Sequence, residues 1–144
     1  MLNVGVVEGV LARPAQLVEL PSGTRLVQLE VTVRRPDGPT ETIPVSWFEA
    51  SAWAGELDVG ESVVVAGRVR RRFFRSGGVT HSRTEVVAGR VARSTSTTRV
   101  RSVLGEAITT LVAALGDSMS SAALGSTQTT TADRDYPATS TGAR

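Results

Sequence analysis

Cysteine is absent from the 144-residue chain, which excludes disulfides, thiolate catalysis and cysteine-ligated metals. The single histidine, His81, cannot form a histidine metal cluster and argues against a histidine-based catalytic triad. No apolar run approaches the ~20 residues that span a bilayer, and the first residues lack the basic segment of a secretory signal. The sequence therefore predicts no enzyme, no metal or cofactor, and no membrane segment.

Lysine is also missing, so every basic residue is an arginine, although the net charge is only +2. The charges are unevenly distributed along the chain. Eight arginines and one acid, Glu85, lie between Arg68 and Arg93, whereas six acids and no arginine lie between Asp37 and Glu61. A compositional bias explains the missing lysines as simply as a function does, but guanidinium groups suit phosphate recognition well.

Valine-rich and alternating segments predict an all-β domain over residues 1–93. Turn signals at Pro21-Ser22-Gly23, Pro36-Asp37-Gly38 and Ser76-Gly77-Gly78 separate them. The alanine-rich stretch Glu49–Leu57 predicts a short helix between strands 3 and 4. Five strands with one such helix are the order of a five-stranded OB-fold barrel. The predicted strands are Leu2–Leu11, Leu26–Arg34, Ile43–Phe48, Ser62–Phe74 and Val79–Val91.

The composition changes after Arg93. Residues 94–102 form a polar linker, and residues 103–117 have apolar side chains at helical spacing. This possible amphipathic helix, with its apolar residues from Val103 to Leu115, either docks on a protein partner or packs on its own domain. Residues 118–144 are rich in Ser, Thr, Ala and Gly and are predicted to be a disordered tail.

The fourth predicted strand contains the stretch RVRRRFFRSGG, which combines arginines with aromatic rings. Alternation of side chains assigns one set to the core and projects the other outward. The inward set is mostly apolar and is predicted to lie in the core, except that Arg71 lies beyond the rim of the barrel. Its members are Val63, Val65, Gly67, Val69, Arg71 and Phe73. The outward set is Val64, Ala66, Arg68, Arg70, Arg72 and Phe74.

Arginines about 6.6 Å apart on one strand face can neutralise successive phosphates while a phenylalanine stacks on a base. The outward set thus predicts a groove that binds single-stranded nucleic acid with little regard to sequence. Taken alone, the same pattern also fits a solvated hairpin whose arginines discourage edge pairing.

The order and spacing of three segments resemble the bacterial single-stranded DNA-binding protein family. They are GVLARPAQLVELPSGT from Gly9, TETIPVSWFE from Thr40, and LDVGESVVVAGRVRRRFFRSGG with TEVVAGRV from Leu57. The resemblance covers about residues 2–93. It implies a non-catalytic module of DNA replication, repair and recombination, a homo-oligomer (commonly a tetramer), and a cytoplasmic, nucleoid-associated location.

Carried over to this sequence, the family's contacts fall on Phe48, Arg70, Arg72 and Phe74, with Arg68 joining them by alternation. Phe48 also follows from placing Val45 and Trp47 inward. Arg34 and Arg35, beside the loop where the family usually has another aromatic, are further candidates for phosphate contacts.

The chain departs from the family in several ways: that aromatic is missing, the loop Arg35–Glu41 is short, and the helical segment is about two residues shorter than usual. The sequence also ends in TSTGAR where many members have an acidic tip closing with Pro-Phe. These departures keep a second hypothesis open, namely an OB-fold protein-interaction or accessory replication module with weak or no nucleic-acid binding.

Overall fold

The computed structural model describes residues 1–125. Within them the chain forms six strands, a short 3-10 helix and a long α-helix. In chain order these are β1 (Gly5–Leu11), β2 (Gln16–Glu19), β3 (Arg25–Val33), β4 (Glu41–Phe48), the 3-10 helix (Ala52–Glu56), β5 (Ser62–Ser76), β6 (Val79–Arg93) and α1 (Thr97–Gly125).

All five predicted strands are present, and the expected count is wrong by one because β2 is an additional strand. Its four residues are exposed and carry no alternating pattern. It forms because the turn after Glu19 brings it antiparallel to β3, where Gln16 lies opposite Gln28. The helical segment therefore follows the fourth strand instead of the third, and it is a 3-10 helix.

The strands form one sheet that closes on itself, because β1 pairs with both β5 and β3. Its order is β1-β5-β6-β4-β3-β2, and β1 also pairs with β3 through Val10 and Leu11. Only the β4–β6 pairing is parallel. The inward side chains of this sheet form the main core, in which Leu11, Val27, Val45 and Val65 are almost completely buried.

The β5–β6 hairpin is the longest feature of the sheet, with fifteen residues in each strand. Its two turn residues, Gly77 and Gly78, both have positive φ values (58° and 79°), as a tight two-residue hairpin turn requires. The core residues of β5 end at Ala66, and from Arg68 to Ser76 all residues except the half-buried Arg70 are exposed. The distal part of the hairpin is therefore a solvent-facing arm.

Helix α1 packs on the outside of the sheet and covers the first half of β5. Val103 and Ala107 are buried against Val64, Ala66 and Ala92 in a second, smaller apolar cluster. This packing on its own domain is one of the two alternatives that the sequence left open.

The boundaries of α1 differ from the predicted ones. The helix begins at Thr97 inside the predicted linker and continues to Gly125, so residues 118–125 of the predicted tail are helical. Residues 126–144, the remainder of that tail, lie outside the described residues. No helix within the described residues has the length and apolarity to cross a membrane.

Candidate nucleic-acid interface

The outer face of the sheet combines arginines of β5 with side chains of β4 and β6. The two-residue turn fixes the hairpin register, which places Arg70 opposite Glu85 and Arg72 opposite Arg83. The parallel β4–β6 pairing brings Ser46 beside Val87. Side chains from three strands therefore converge on one patch, which we call the outer face: Ser46, Phe48, Arg70, Arg72, Phe74, His81, Arg83 and Glu85.

Glu85 is the centre of this patch and is only 3% exposed. Its Oε1 accepts hydrogen bonds from Nε of Arg70 at 3.1 Å and from Nη2 of the same guanidinium. Its Oε2 accepts a 2.8 Å hydrogen bond from the hydroxyl of Ser46. Arg72 lies farther away, with its Nε 3.8 Å from Oε1. One buried carboxylate thus orients one guanidinium directly and attracts a second.

The ionisation of Glu85 reflects a balance between burial and its cationic neighbours. Burial is the largest single influence and raises its pKa. Hydrogen bonds from Arg70 and Ser46 and the charges of Arg70 and Arg72 act in the opposite direction and together prevail. The pKa of Glu85 is therefore lowered, and the carboxylate is ionised at neutral pH.

Two of the predicted aromatic rings lie on the outer face beside the arginines. The guanidinium carbon of Arg70 is 5.6 Å from the centroid of the half-buried Phe48 ring, and that of Arg72 is 5.7 Å from Phe74. His81 stacks on Phe74 with centroids 5.6 Å apart and an interplanar angle of 24°. Phe74 remains 41% exposed. Each arginine is therefore next to a ring with an accessible surface.

A second carboxylate extends the patch towards β3. Glu30 accepts a hydrogen bond from Arg13 at 2.7 Å through Oε2 and one from Arg83 at 3.3 Å through Oε1. A polar cavity of about 160 Å³ lies between the two carboxylates and is lined by Arg72, Arg83 and Gln28 among others. The outer face is thus a continuous polar and cationic surface across the sheet.

The structure brings four predicted site residues together on this face, namely Phe48, Arg70, Arg72 and Phe74. Arg68 is exposed and lies at a cavity of about 360 Å³ beneath α1, and it makes no ion pair within residues 1–125. Arg35 donates to Glu41 at 3.0 Å, and Arg34 is exposed beyond the end of β3. No hydrogen bond or ion pair within residues 1–125 connects Arg34, Arg35 or Arg68 to Glu85.

Some side chains of the face were missed or misplaced by the sequence reasoning. Phe73, which was expected to point towards the core, is 64% exposed because the hairpin extends past the core at this point. Glu85 and His81 were not proposed as parts of the site. Counting back from Gly77-Gly78 as a two-residue turn pairs Arg70 with Glu85 and Phe74 with His81, so the signal was present in the sequence.

The tryptophans fit a structural role. Trp47 is buried as expected, at 7% exposure, and Trp53 packs edge-on against it with ring centroids 5.6 Å apart. Arg93 and Arg99 approach the Trp53 ring, at 5.1 Å and 5.9 Å from its centroid. Neither tryptophan contributes to the outer face.

The sheet is small and mainly antiparallel, β1 pairs with both β5 and β3, and arginines and aromatic rings lie on its outer face. These features define the class of OB-fold-like β proteins. Comparisons with known proteins agree. The model of the Single-strand binding protein family matches residues 2–94, well over half of the chain. The chain therefore belongs to this family. A comparison with curated proteins gives no match.

Solved structures similar to this chain include two forms of the single-stranded DNA binding protein from Thermus aquaticus. The wild-type protein is 29% identical, with a TM-score of 0.55, over 66% of this chain and 41% of that one. A deletion mutant of the same protein has the same identity and TM-score over 64% of this chain and 40% of that one. The chain thus spans less than half the length of these relatives.

Proposed function

We propose that this chain binds and protects single-stranded DNA on its outer face, largely without regard to sequence. The observation that carries the proposal is the convergence of Phe48, Arg70, Arg72 and Phe74 on one exposed patch. Membership of the Single-strand binding protein family and similarity to proteins described as binding single-stranded DNA support it.

The chemistry of the patch divides between charge and stacking. A guanidinium has five N–H donors, and Glu85 accepts from only two of the Arg70 nitrogens, so other N–H groups are left for a phosphate. Phe74 offers a ring on which a base can stack, a contact of about 1–3 kcal/mol that scarcely depends on the base. Because neither contact reads base edges, the binding is sequence-tolerant.

Glu85 limits this charge and also organises it. Its carboxylate holds Arg70 in place before DNA arrives, which reduces the entropy lost on binding. A phosphate that approaches Arg70 or Arg72 adds a second anion to a site that already contains one. The arginines outnumber the acid, so the site remains attractive to DNA.

Arg34, Arg35 and Arg68 are proposed as peripheral phosphate contacts. Arg34 and Arg68 are exposed and make no ion pair within residues 1–125, which leaves both guanidinium groups free for an anion. Arg35 would first have to share or release Glu41. We nevertheless expect each of them to contribute less than Arg70, because only Arg70 among these four arginines has an aromatic ring beside it within residues 1–125.

Membership of the family supports a proposal for the assembly and the cellular setting. We infer that the circuit of strands is an OB-fold barrel, that the chain forms a homo-oligomer (commonly a tetramer), and that it acts in the cytoplasm at the nucleoid. Its roles would be in DNA replication, repair and recombination. Sedimentation equilibrium tests the assembly: a mass well above the 15.1 kDa of one chain supports it, and a single 15.1 kDa species contradicts it.

A protein-interaction module is the second candidate, and one observation favours it. Helix α1 exposes Leu104, Ile108, Val112 and Leu115 at helical spacing, and residues 2–94 alone match the family. A protein partner on this helix would not require nucleic-acid binding.

Titration of the protein into an end-labelled oligo-dT strand, reported by the fluorescence of the label, separates the two candidates. The proposal predicts binding at low salt, and Phe74→Ala weakens it by the ~1–3 kcal/mol of one stacked base. The matched control is Leu17→Ala, which removes an exposed apolar side chain of β2. Absence of binding by the wild type at low salt favours the interaction module.

A further inference from the structure

The β5–β6 arm has a second face that the outer face leaves unused. On this reverse face, which comprises Val69, Arg71, Phe73, Ser82 and Thr84, Phe73 is 64% exposed. The guanidinium carbon of Arg71 lies 5.3 Å from the Phe73 centroid, and its Nη2 donates a 3.0 Å hydrogen bond to Ser82. The pairing of an arginine with a ring thus occurs on both sides of the arm.

The reverse face has the charge that suits an anionic partner. Between Arg68 and Thr84 the chain contains six arginines and no acid. Glu85 engages Arg70 and Arg72 on the outer face, whereas Arg71 makes no ion pair within residues 1–125. Glu41, which lines the cavity at the base of this face, is already paired with Arg35 at 3.0 Å. The Arg71 charge is therefore not neutralised by an ion pair within residues 1–125.

An apolar cavity lies at the base of the same face. It has a volume of about 590 Å³ and is lined mainly by apolar side chains of β1, β4, β5 and β6, such as Val7, Ile43 and Val69, although Glu41 and Glu85 are also among its lining residues. Val69 and Thr84 connect it to the reverse face. A flat apolar group such as a base therefore finds both a ring and an apolar wall on this side of the arm.

We propose that the reverse face is a second contact site for single-stranded DNA, in which Phe73 stacks on a base and Arg71 binds a phosphate. The inference rests on the proposed function, because it extends the same chemistry to the other side of the arm. A long strand then contacts both faces, whereas a short one fills only the outer face. A second copy of the chain is the competing occupant, but uncompensated positive charge disfavours two like faces meeting.

Two matched tryptophan variants test the proposal directly. Phe73→Trp and Phe74→Trp each add an indole to one face of the arm, while the native Trp47 and Trp53 pack against each other elsewhere and give a background that the wild type measures. Oligo-dT strands of increasing length are titrated into each variant. We expect quenching of Phe74→Trp by the shortest strands that bind, and quenching of Phe73→Trp once the strand is long enough to reach the reverse face.

Affinity provides the second readout. Phe73→Ala should weaken the affinity for long strands by about fivefold or more, because fivefold corresponds to the weakest stacking of one base on an aromatic ring. The affinity for short strands should not change. Its urea unfolding should match that of the wild type, because the ring it removes is mostly exposed.

Unchanged Phe73→Trp emission at saturation with the longest strand would overturn the inference. So would an emission shift that follows protein concentration without DNA, since it would identify a second copy as the occupant. Both results leave the proposed function intact. Failure of the proposed function would give a different result: DNA would not quench the fluorescence of Phe74→Trp, and Phe74→Ala would bind oligo-dT as tightly as the wild type.

Discussion

Replacing Glu85 by glutamine tests whether one buried carboxylate organises the outer face. The substitution keeps the size and shape of the side chain but removes its charge. In the wild type the carboxylate accepts from Arg70 and Ser46 and attracts Arg72. Glutamine can still accept from Arg70 through its single carbonyl oxygen, so the change reports mainly on charge.

The expected magnitude follows from those contacts. Hydrogen bonds to charged groups contribute about 1.5–3 kcal/mol, and the Arg70 bond to a glutamine carbonyl still has a charged donor, so only the part due to the second charge is lost, about 1–1.5 kcal/mol. Arg72, at 3.8 Å and 44% exposed, adds little. We therefore predict a loss of about 1–2 kcal/mol, which lowers Tm by about 4 °C per kcal/mol for a folded unit of 125 residues.

Urea denaturation followed by circular dichroism measures this loss, with unchanged m-values as a check on two-state behaviour. Glu19→Gln is the control, because Glu19 is exposed on β2 and makes no ion pair within residues 1–125. A double-mutant cycle with Arg70→Gln isolates the coupling between the two side chains. If Glu85→Gln is as stable as Glu19→Gln, the carboxylate does not hold the arginines as described.

Three further predictions concern the fold. Because the pKa of Glu85 is lowered in the folded state, the ionised carboxylate stabilises the fold fully above its ordinary pKa of 4.5, and this stabilisation is lost as the pH falls through the lower pKa of the folded state. In Glu85→Gln the free energy of unfolding should therefore fall less steeply at acid pH than in the wild type. Equal slopes for the two proteins would contradict this. Gly67→Ala should cost at least about 1–3 kcal/mol by urea unfolding, since an added Cβ would clash with the backbone carbonyl oxygen of Val87 and lie 2.8 Å from its carbonyl carbon. At Gly89 the nearest atom is 3.7 Å away, so Gly89→Ala should be tolerated. Val103→Ala should lower the free energy of unfolding by about 1.5 kcal/mol, because it removes two buried methyl groups, whereas Val112→Ala, at an exposed position, should hardly change it. Equal effects of the two substitutions would contradict the packing of α1 on the sheet.

The arginine side of the site could be predicted because a strand alternates its side chains by covalent geometry. That rule places Arg70, Arg72 and Phe74 on one face without knowledge of the fold. It failed for Phe73 because alternation gives the direction of a side chain but not whether a core lies in that direction. Where the core ends is determined by the lengths of β1 and β4, which stop short of the hairpin tip.

Glu85 shows the limit of reading one segment at a time. Its burial depends on β4 lying parallel to β6, which brings Ser46 to its second oxygen. This long-range pairing has no local signal. Helix α1 illustrates another limit, since its start at Thr97 lies in a stretch of Ser and Thr with low helix propensity. Packing of Val100 and Val103 on the sheet overrides that propensity.

The salt dependence of oligo-dT binding tests the central claim most directly, because it counts the phosphates that the outer face neutralises. We predict that Arg70→Ala and Arg72→Ala each reduce the slope of log affinity against log salt by about 0.7. Arg101→Ala, on the exposed side of α1, should leave the slope unchanged. Slopes for Arg70→Ala and Arg72→Ala that equal the wild-type slope would contradict phosphate binding by these two arginines.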